Sequence, residues 1–168
     1  MIITKRLTIK PIESKDQDAM ISLFLNEQIK ETYMIPDLTY EEASAFFHKL
    51  QIISQSNERY QLGIYLQNQL IGFLNDTTIE DDTIELGYMI HPDHQKKGYA
   101  SEALQAIILH LFQNGFHKII AGAFMENIAS QKVMITCGMK KTNKQDRITY
   151  HGHEHVCVYY EIDAKDFS

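Results

Sequence analysis

Apolar and polar residues alternate through Ile2-Ile-Thr-Lys-Arg-Leu-Thr-Ile-Lys10. This period of two predicts a strand over 2–10, ended by Pro11, which cannot continue a central ladder. Ser14 followed three residues later by Gln17 reads as a capping box, and Met20, Leu23 and Phe24 recur at helical spacing, predicting a helix over 14–26. A second box, Thr39 with Glu42, opens a helix whose Ala43, Phe46, Phe47, Leu50 and Ile53 form one apolar stripe. Between the two helices, residues 32–38 are irregular yet rich in large apolar groups, which suits the wall of a substrate pocket better than a plain connector.

The middle of the chain reads as a meander. Tyr60, Leu62, Ile64 and Leu66 alternate ahead of Asn68, and a second apolar run spans Leu70 to Leu74. After the acidic Glu80-Asp-Asp turn, a strand over 83–90 sets Ile84, Leu86, Tyr88 and Ile90 on one face and Glu85, Gly87 and Met89 on the other. A polar loop from His91 to Gly98 separates this strand from a helix carrying Ala100, Ala103, Leu104, Ile107, Ile108, Leu111 and Phe112 and stopping at Gly115. Lys118 to Ala123 predicts a short strand. Asn127 is placed to cap a helix bearing Val133, Met134 and Cys137 and ending at Gly138, and 139–162 reads as two more strands. The order predicts an α/β (α+β) fold around one central sheet. No linker composition or internal repeat divides residues 1–168, so a single domain is expected.

Composition narrows the function classes. With 168 residues, 44% hydrophobic and 23% charged, the chain is long enough for a core without staples. Sixteen Lys and Arg against 22 Asp and Glu give a net charge of −6, a field that repels phosphate backbones and favours a cationic substrate over nucleic acid. No apolar run approaches the roughly 20 residues needed to span a bilayer, and the N-terminus turns polar too soon for a signal segment. No membrane association and a cytoplasmic location are expected. Cys137 and Cys157 lack CxxC spacing and fit buried reduced thiols.

The candidate chemistry begins at Gln95-Lys-Lys-Gly-Tyr-Ala100, which follows a strand and opens a helix. A helix N-terminus offers unpaired N–H groups and a positive dipole end, Gly98 allows close backbone approach, and Lys96 and Lys97 add charge; a pyrophosphate is the natural guest. This segment resembles the pyrophosphate loop of the GNAT superfamily of acyl-CoA-dependent N-acyltransferases, Gln/Arg-x-x-Gly-x-Gly/Ala, with Gln95, Gly98 and Ala100 in its three defined places. The resemblance extends to the branch that acetylates N-terminal amines (alanine or serine) of ribosomal proteins, through "TKRLTIKPI", "IELGYMIHPDHQKKGYASEAL", "ENIASQKVMITCGM" and "YHGHEHVCVYYEI". It therefore runs from residue 4 to 162.

What the resemblance implies is a mixed, mostly antiparallel sheet flanked by helices, and acetyl-CoA as acyl donor. It assigns Gln95, Lys96, Lys97, Gly98, Tyr99, Ala100 and Ser101 to the CoA pyrophosphate. It assigns the backbone of Met89 and Ile90 to the thioester carbonyl and pantetheine amides. Asn127 matches the residue that contacts the pantetheine arm, with Lys132 on the same CoA-side helix; spacing alone makes Asn127 a cap, and Lys132 a solvated charge.

Acyl transfer to an amine of pKa about 10 needs a proton acceptor at neutral pH. Glu85 stands where several relatives carry their base, and serves as base or substrate anchor; its alternative is an ordinary strand carboxylate. Where many GNAT enzymes place a general-acid Tyr, this chain has Met134. Water could help the thiolate leave, or a hydroxyl could substitute: Ser130, at a place where this branch carries Ser, or Tyr160, which otherwise reads as a core aromatic. His151, His153 and His155 project to one side of a strand but spread over about 13 Å, too far for a closed metal site unless Gly152 turns the chain, so a solvated turn and no metal are expected. His91 and His94 read as surface donors.

The expected activity is transfer of an acetyl group from acetyl-CoA to a primary amine by direct attack, with a protein N-terminus as acceptor. The alternatives are a small cationic amine, such as a polyamine or aminated antibiotic, and a non-catalytic CoA-binding module. A homodimer is compatible with each.

Overall fold

The computed structural model describes residues 1–167, whose contacts divide the chain into two compact units. The first holds Met1–Asn75 and Tyr88–Ala103; the second holds Asp76–Gly87 and Leu104 onward.

In the first unit, β1 (Ile2–Ile3), β2 (Leu7–Pro11), β3 (Gln61–Leu66) and the start of β4 (Gln69–Glu80) pair antiparallel in succession. The strand expected over 2–10 is thus two strands. The Thr4 N–H bonds the Leu7 carbonyl at 2.9 Å, and the chain folds back to set Ile2 opposite Ile9. Pro11 is the last residue of β2, opposite Leu62, where its missing N–H ends the ladder instead of interrupting it. The expected Ser14 box does not form. Residues Ser14–Asp16 make a 3-10 turn in which the Asp16 carboxylate takes the Glu13 N–H at 2.8 Å and the Tyr65 hydroxyl at 2.5 Å, while Ser14 Oγ accepts from Gln51. Helix α1 then runs Gln17–Leu25. Asn26 accepts from the N–H groups of Gln28 and Ile29 and so starts a further short helix, α2 (Glu27–Thr32).

The Thr39–Glu42 box forms as expected, with both bonds at 3.1 Å, and opens α3 (Tyr40–Gln55). Its inward line is Ala43, Phe47, Leu50 and Ser54, a 4-3-4 spacing, so Phe46 and Ile53 flank the stripe at 44% and 41% exposure. Ser54 is buried because it donates to the Gln61 carbonyl and accepts from the Ile12 N–H. The irregular stretch before α3 is anchored by Ile35, buried in the same core as Met20, Phe24, Phe47 and Tyr65, and by Tyr33, whose hydroxyl bonds Asn75 Oδ1.

In the second unit, β5 (Thr83–Ile90) pairs parallel with β6 (Lys118–Phe124) from Thr83↔Lys118 to Leu86↔Ala121. The antiparallel ladder between β6 and β8 (His153–Asp163) continues further, to Phe124↔Cys157. Strand β7 (Lys140–Tyr150) is the far edge, antiparallel to β8. Helix α4 (Tyr99–Gln113) buries Leu104, Ile107, Ile108 and Leu111 completely. It closes at Gly115, whose φ of +97° lets the Phe116 N–H reach the Leu111 carbonyl. Helix α5 (Ile128–Thr136) follows β6. Among the described residues the strand order is β1-β2-β3-β4-β5-β6-β8-β7, a mixed sheet whose parallel step is β5·β6, and β4 and β5 each run through both units. Cys137 and Cys157 are free and buried. Among the described residues no helix is long and apolar enough to cross a membrane.

Candidate active site

The loop between β5 and α4 belongs to the first unit and is built by local chemistry. The His91 N–H bonds the Ile71 carbonyl at 2.7 Å, and Pro92–His94 form a 3-10 turn capped by His91 Nδ1, which accepts from the Asp93 N–H. Lys96 then adopts φ +62° and Gly98 φ +83°, two left-handed residues that turn the chain into the N-terminus of the 15-residue α4. The first-turn N–H groups of such a helix lack intrahelical acceptors and sit at its positive end, beside Lys96 and Lys97.

Two side chains that sequence reasoning missed hold this loop. Arg6 donates from Nη1 to the Lys97 carbonyl at 2.9 Å and from Nε to Glu102 Oε2 at 2.7 Å, and its guanidinium lies 4.5 Å over the Tyr99 ring. Glu102 in turn accepts from Thr4 Oγ and the Arg6 N–H at 2.6 and 2.8 Å. Burial works against the Glu102 anion, but these bonds outweigh it and hold the carboxyl below the usual range. The backbone angle at 98 is what favours glycine there, and a Cβ would also lie 3.2 Å from Arg6 Nη2, a tight contact that the guanidinium would have to yield to. The only local signal was the "TKR" beginning; its partner lies 96 positions away, and spacing cannot reveal that.

Gln95 is exposed, and its Nε2 donates back to the Ile90 carbonyl at 2.8 Å. It therefore shapes the loop, and the Ile90 carbonyl already has a partner. Met89 is buried, and its carbonyl lies against Gly72 of β4, where a Cβ would collide with it. Lys97 Nζ bonds the Asp93 carbonyl, while Lys96 is exposed. Tyr99, Ala100 and Ser101 are half-buried in the first turn of α4. Together, the left-handed turn, the helix start and three cations form a donor set that fits the phosphates of CoA.

In the second unit, Glu85 lies on β5 opposite Ile120, and its Oε2 accepts from Thr77 Oγ at 2.5 Å. Glu85 and Asp146 both press electrostatically on Cys157, pushing its thiol up, although burial is the larger cause. Asp146 accepts from the Tyr159 hydroxyl at 2.7 Å, and the Lys144 ammonium lies 4.5 Å over the Tyr159 ring and 4.0 Å from Asp146. Asn127 caps α5, its Oδ1 accepting from the Ser130 N–H at 3.1 Å, which places Ser130 in the first turn. Lys132 is exposed one turn on.

Met134, where the general-acid Tyr would stand, is fully buried. Tyr160 is buried too, and its hydroxyl donates to Gln131 Oε1 at 2.9 Å, with the Gln131 amide donating to the Met125 carbonyl at 2.9 Å. That hydroxyl serves the packing of the β6–α5 turn. The histidines part company: His151 has φ +50° in the β7–β8 turn with Gly152, and His155 Nδ1 pairs with Glu126 at 2.5 Å. Among the described residues no group of three His, Cys, Asp or Glu side chains could hold a metal.

A strand–turn–helix segment with these backbone angles, on a mixed eight-stranded sheet, is the arrangement that a phosphate-bearing ligand fits. Residues 6–140 match the family described as "Acetyltransferase (GNAT) domain", and the chain belongs to that family. It is an N-acetyltransferase, and acetyl-CoA is the acyl donor that GNAT acetyltransferases use. The chain is 32% identical over 161 residues to an uncharacterized N-acetyltransferase of Bacillus subtilis (strain 168), YnaD, covering 95% of this chain and 94% of the relative. A GNAT-family acetyltransferase structure from Bacillus anthracis superposes with TM-score 0.85 at 26% identity, covering 98% of each chain. The structure of RimL, a ribosomal L7/L12 alpha-N-protein acetyltransferase in complex with coenzyme A, superposes with TM-score 0.80 at 18% identity over 96% of each chain.

Proposed function

We propose that this protein, as one domain along its length, transfers the acetyl group of acetyl-CoA to the free α-amine of a protein or peptide. The observation that carries the acetyl-CoA assignment is the paired left-handed backbone at Lys96 and Gly98, braced by Arg6 at the start of α4. On this reading Gln95 to Ser101 hold the pyrophosphate: N–H groups and Lys96 make the contacts, and Gln95 fixes the loop. The backbone of Met89 and Ile90 lies along the pantetheine and thioester, and Asn127 and Lys132 contact the CoA arm from α5. Glu85, bonded to Thr77, receives the proton of the attacking amine, and the Ser130 hydroxyl, in the first turn of α5, stands in for the absent Tyr as the acid to the leaving sulfur. Direct attack needs no acyl-enzyme; burial pushes the Cys137 thiol up to about 11 and raises the Cys157 thiol, so neither is an activated nucleophile. Buried free thiols also support a reducing, cytoplasmic setting. The peptide acceptor is supported by likeness to the RimL structure, a ribosomal-protein acetyltransferase.

A second acceptor class, a small cationic amine, is favoured by one feature. Lys144 already places an ammonium over the Tyr159 ring beside Asp146, a carboxylate–aromatic seat suited to a cation. Thermal unfolding with and without acetyl-CoA tests the donor, since a ligand at a hundred times its Kd adds about 2.7 kcal/mol. Thiol release with peptides beginning in Ser or Ala, against spermine and an aminoglycoside, then separates the acceptors. Turnover with the polyamine alone would reject the peptide reading.

A further inference from the structure

The guanidinium of Arg6 has more donors than its brace uses. Nε donates to Glu102 Oε2 at 2.7 Å and Nη1 to the Lys97 carbonyl at 2.9 Å, while the planar group lies 4.5 Å over the Tyr99 ring. These contacts fix the group in place, yet the hydrogens of Nη2 have no acceptor among the described residues. Nη2 stands 3.2 Å from the point that a Cβ of residue 98 would occupy, so it borders the space left by the missing side chain of Gly98. The Arg6 side chain is 41% exposed, and a solute can reach it.

Most other polar side chains of the loop are spent. Gln95 Nε2 is bonded to the Ile90 carbonyl, Lys97 Nζ to the Asp93 carbonyl at 3.3 Å, and His91 Nδ1 accepts from the Asp93 N–H. What remains is the exposed Lys96 ammonium, the start of α4, which Gly98 has no side chain to cap, and Arg6 Nη2. Around this turn the cations Arg6, Lys96 and Lys97 outnumber the carboxylates Asp93 and Glu102 by one, and the helix end adds roughly half a positive charge more. A pyrophosphate, with a charge on each phosphoryl group, answers that surplus. We propose that Arg6 is a ligand of the CoA pyrophosphate as well as the brace of the loop, its Nη2 donating to a pyrophosphate oxygen in the space beside Gly98. The proposal rests on the assignment of this loop to acetyl-CoA given above. Glu102, by accepting from Nε, holds the guanidinium so that Nη2 meets the phosphate without a search through rotamers, and the bond is charge-assisted at both ends. Lysine is not an equivalent here, because one ammonium cannot reproduce the planar fork that serves Glu102, the Lys97 carbonyl and a phosphate together.

The test uses the unaltered protein labelled with 15N in its backbone and arginine side chains, titrated with CoA and, separately, with 3′-dephospho-CoA, which keeps the pyrophosphate. Amide signals of residues 96–100 report binding at the loop. Exchange of the Arg6 Nη2 hydrogens with water reports whether they are held, and magnetisation transfer from them to 31P reports by which phosphate. The expected result is that either ligand moves the amide signals, slows Nη2 exchange by about tenfold or more, the effect of one hydrogen bond to a charged group, and links Nη2 to a pyrophosphate phosphorus. Amide signals that move while Nη2 exchanges as fast as in the unliganded protein overturn the proposal, reduce Arg6 to a brace and leave the acetyl-CoA reading standing. Slowing with CoA but not with 3′-dephospho-CoA also overturns it, because the 3′-phosphate is then the partner. Amide signals that move with neither ligand remove both readings.

Discussion

Arg6 Nε and Glu102 Oε2 lie 2.7 Å apart although 96 positions separate the two residues. Through them the turn after β1 holds the first turn of α4, and the same guanidinium grips the Lys97 carbonyl. The loop is therefore held by contacts of the protein's own side chains, and a ligand that bound there would be spared the ordering cost of a floppy loop.

Replacing Arg6 with Ala removes the brace while leaving the helix N-terminus. Acetyl-CoA affinity is expected to fall three- to tenfold, and stability by about 1 kcal/mol, the upper range for a pair that is partly exposed. Isothermal titration and thermal unfolding check the two numbers separately; unchanged affinity would mean that the loop holds its shape without Arg6.

Glu102 also makes a prediction in pH. Its carboxyl is lowered in the folded protein, so its stabilisation is complete above the unfolded carboxyl range, near about 4.3, and is lost as pH falls through the lower folded value. Glu102→Gln has no such charge to lose. Its melting temperature should lie below that of the parent at pH 7, and the gap should narrow between pH 5 and pH 3 on the order of the linkage range.

At Gly98, a Val must adopt φ +83° and meet Arg6. Gly98→Val is expected to abolish the acetyl-CoA thermal shift while the circular dichroism of the fold persists. Retained binding would dissociate this loop from the cofactor.

Glu85→Gln keeps the shape and the Thr77 contact but removes the proton acceptor. An expected drop in kcat of about 10²–10⁴-fold at unchanged acetyl-CoA affinity marks a base. A rise in KM for the acceptor alone marks an anchor.

Asn127 combines two jobs that substitution separates. Asn127→Ala should cost about 1 kcal/mol as a lost cap, and Asn127→Asp should restore the cap. If the side chain also touches the pantetheine, Asn127→Asp will recover stability without recovering acetyl-CoA affinity, a difference that paired melting and binding measurements resolve.

Much of this architecture was legible in order and period alone. The Thr39–Glu42 box, the α4 stripe ending at Gly115, the loop before α4 and the alternation of β5 as far as Leu86 lie where spacing puts them, whereas Met89, expected opposite Ile90, is buried as well. Each depends on residues within four positions of one another, so local geometry settles it. In place of the Ser14 box, Asp16 takes the Glu13 N–H and also the Tyr65 hydroxyl, 49 positions away, and the buried line of α3 includes Ser54, bonded to Ile12 and Gln61, where the spacing had placed Phe46 and Ile53. The Arg6–Glu102 brace, the Gln131–Tyr160 bond and the Glu126–His155 pair likewise join residues at least 29 positions apart. Strand register and helix packing decide which distant side chains meet, and a buried polar group takes whichever partner those bring within 3 Å; no one-dimensional pattern encodes that choice.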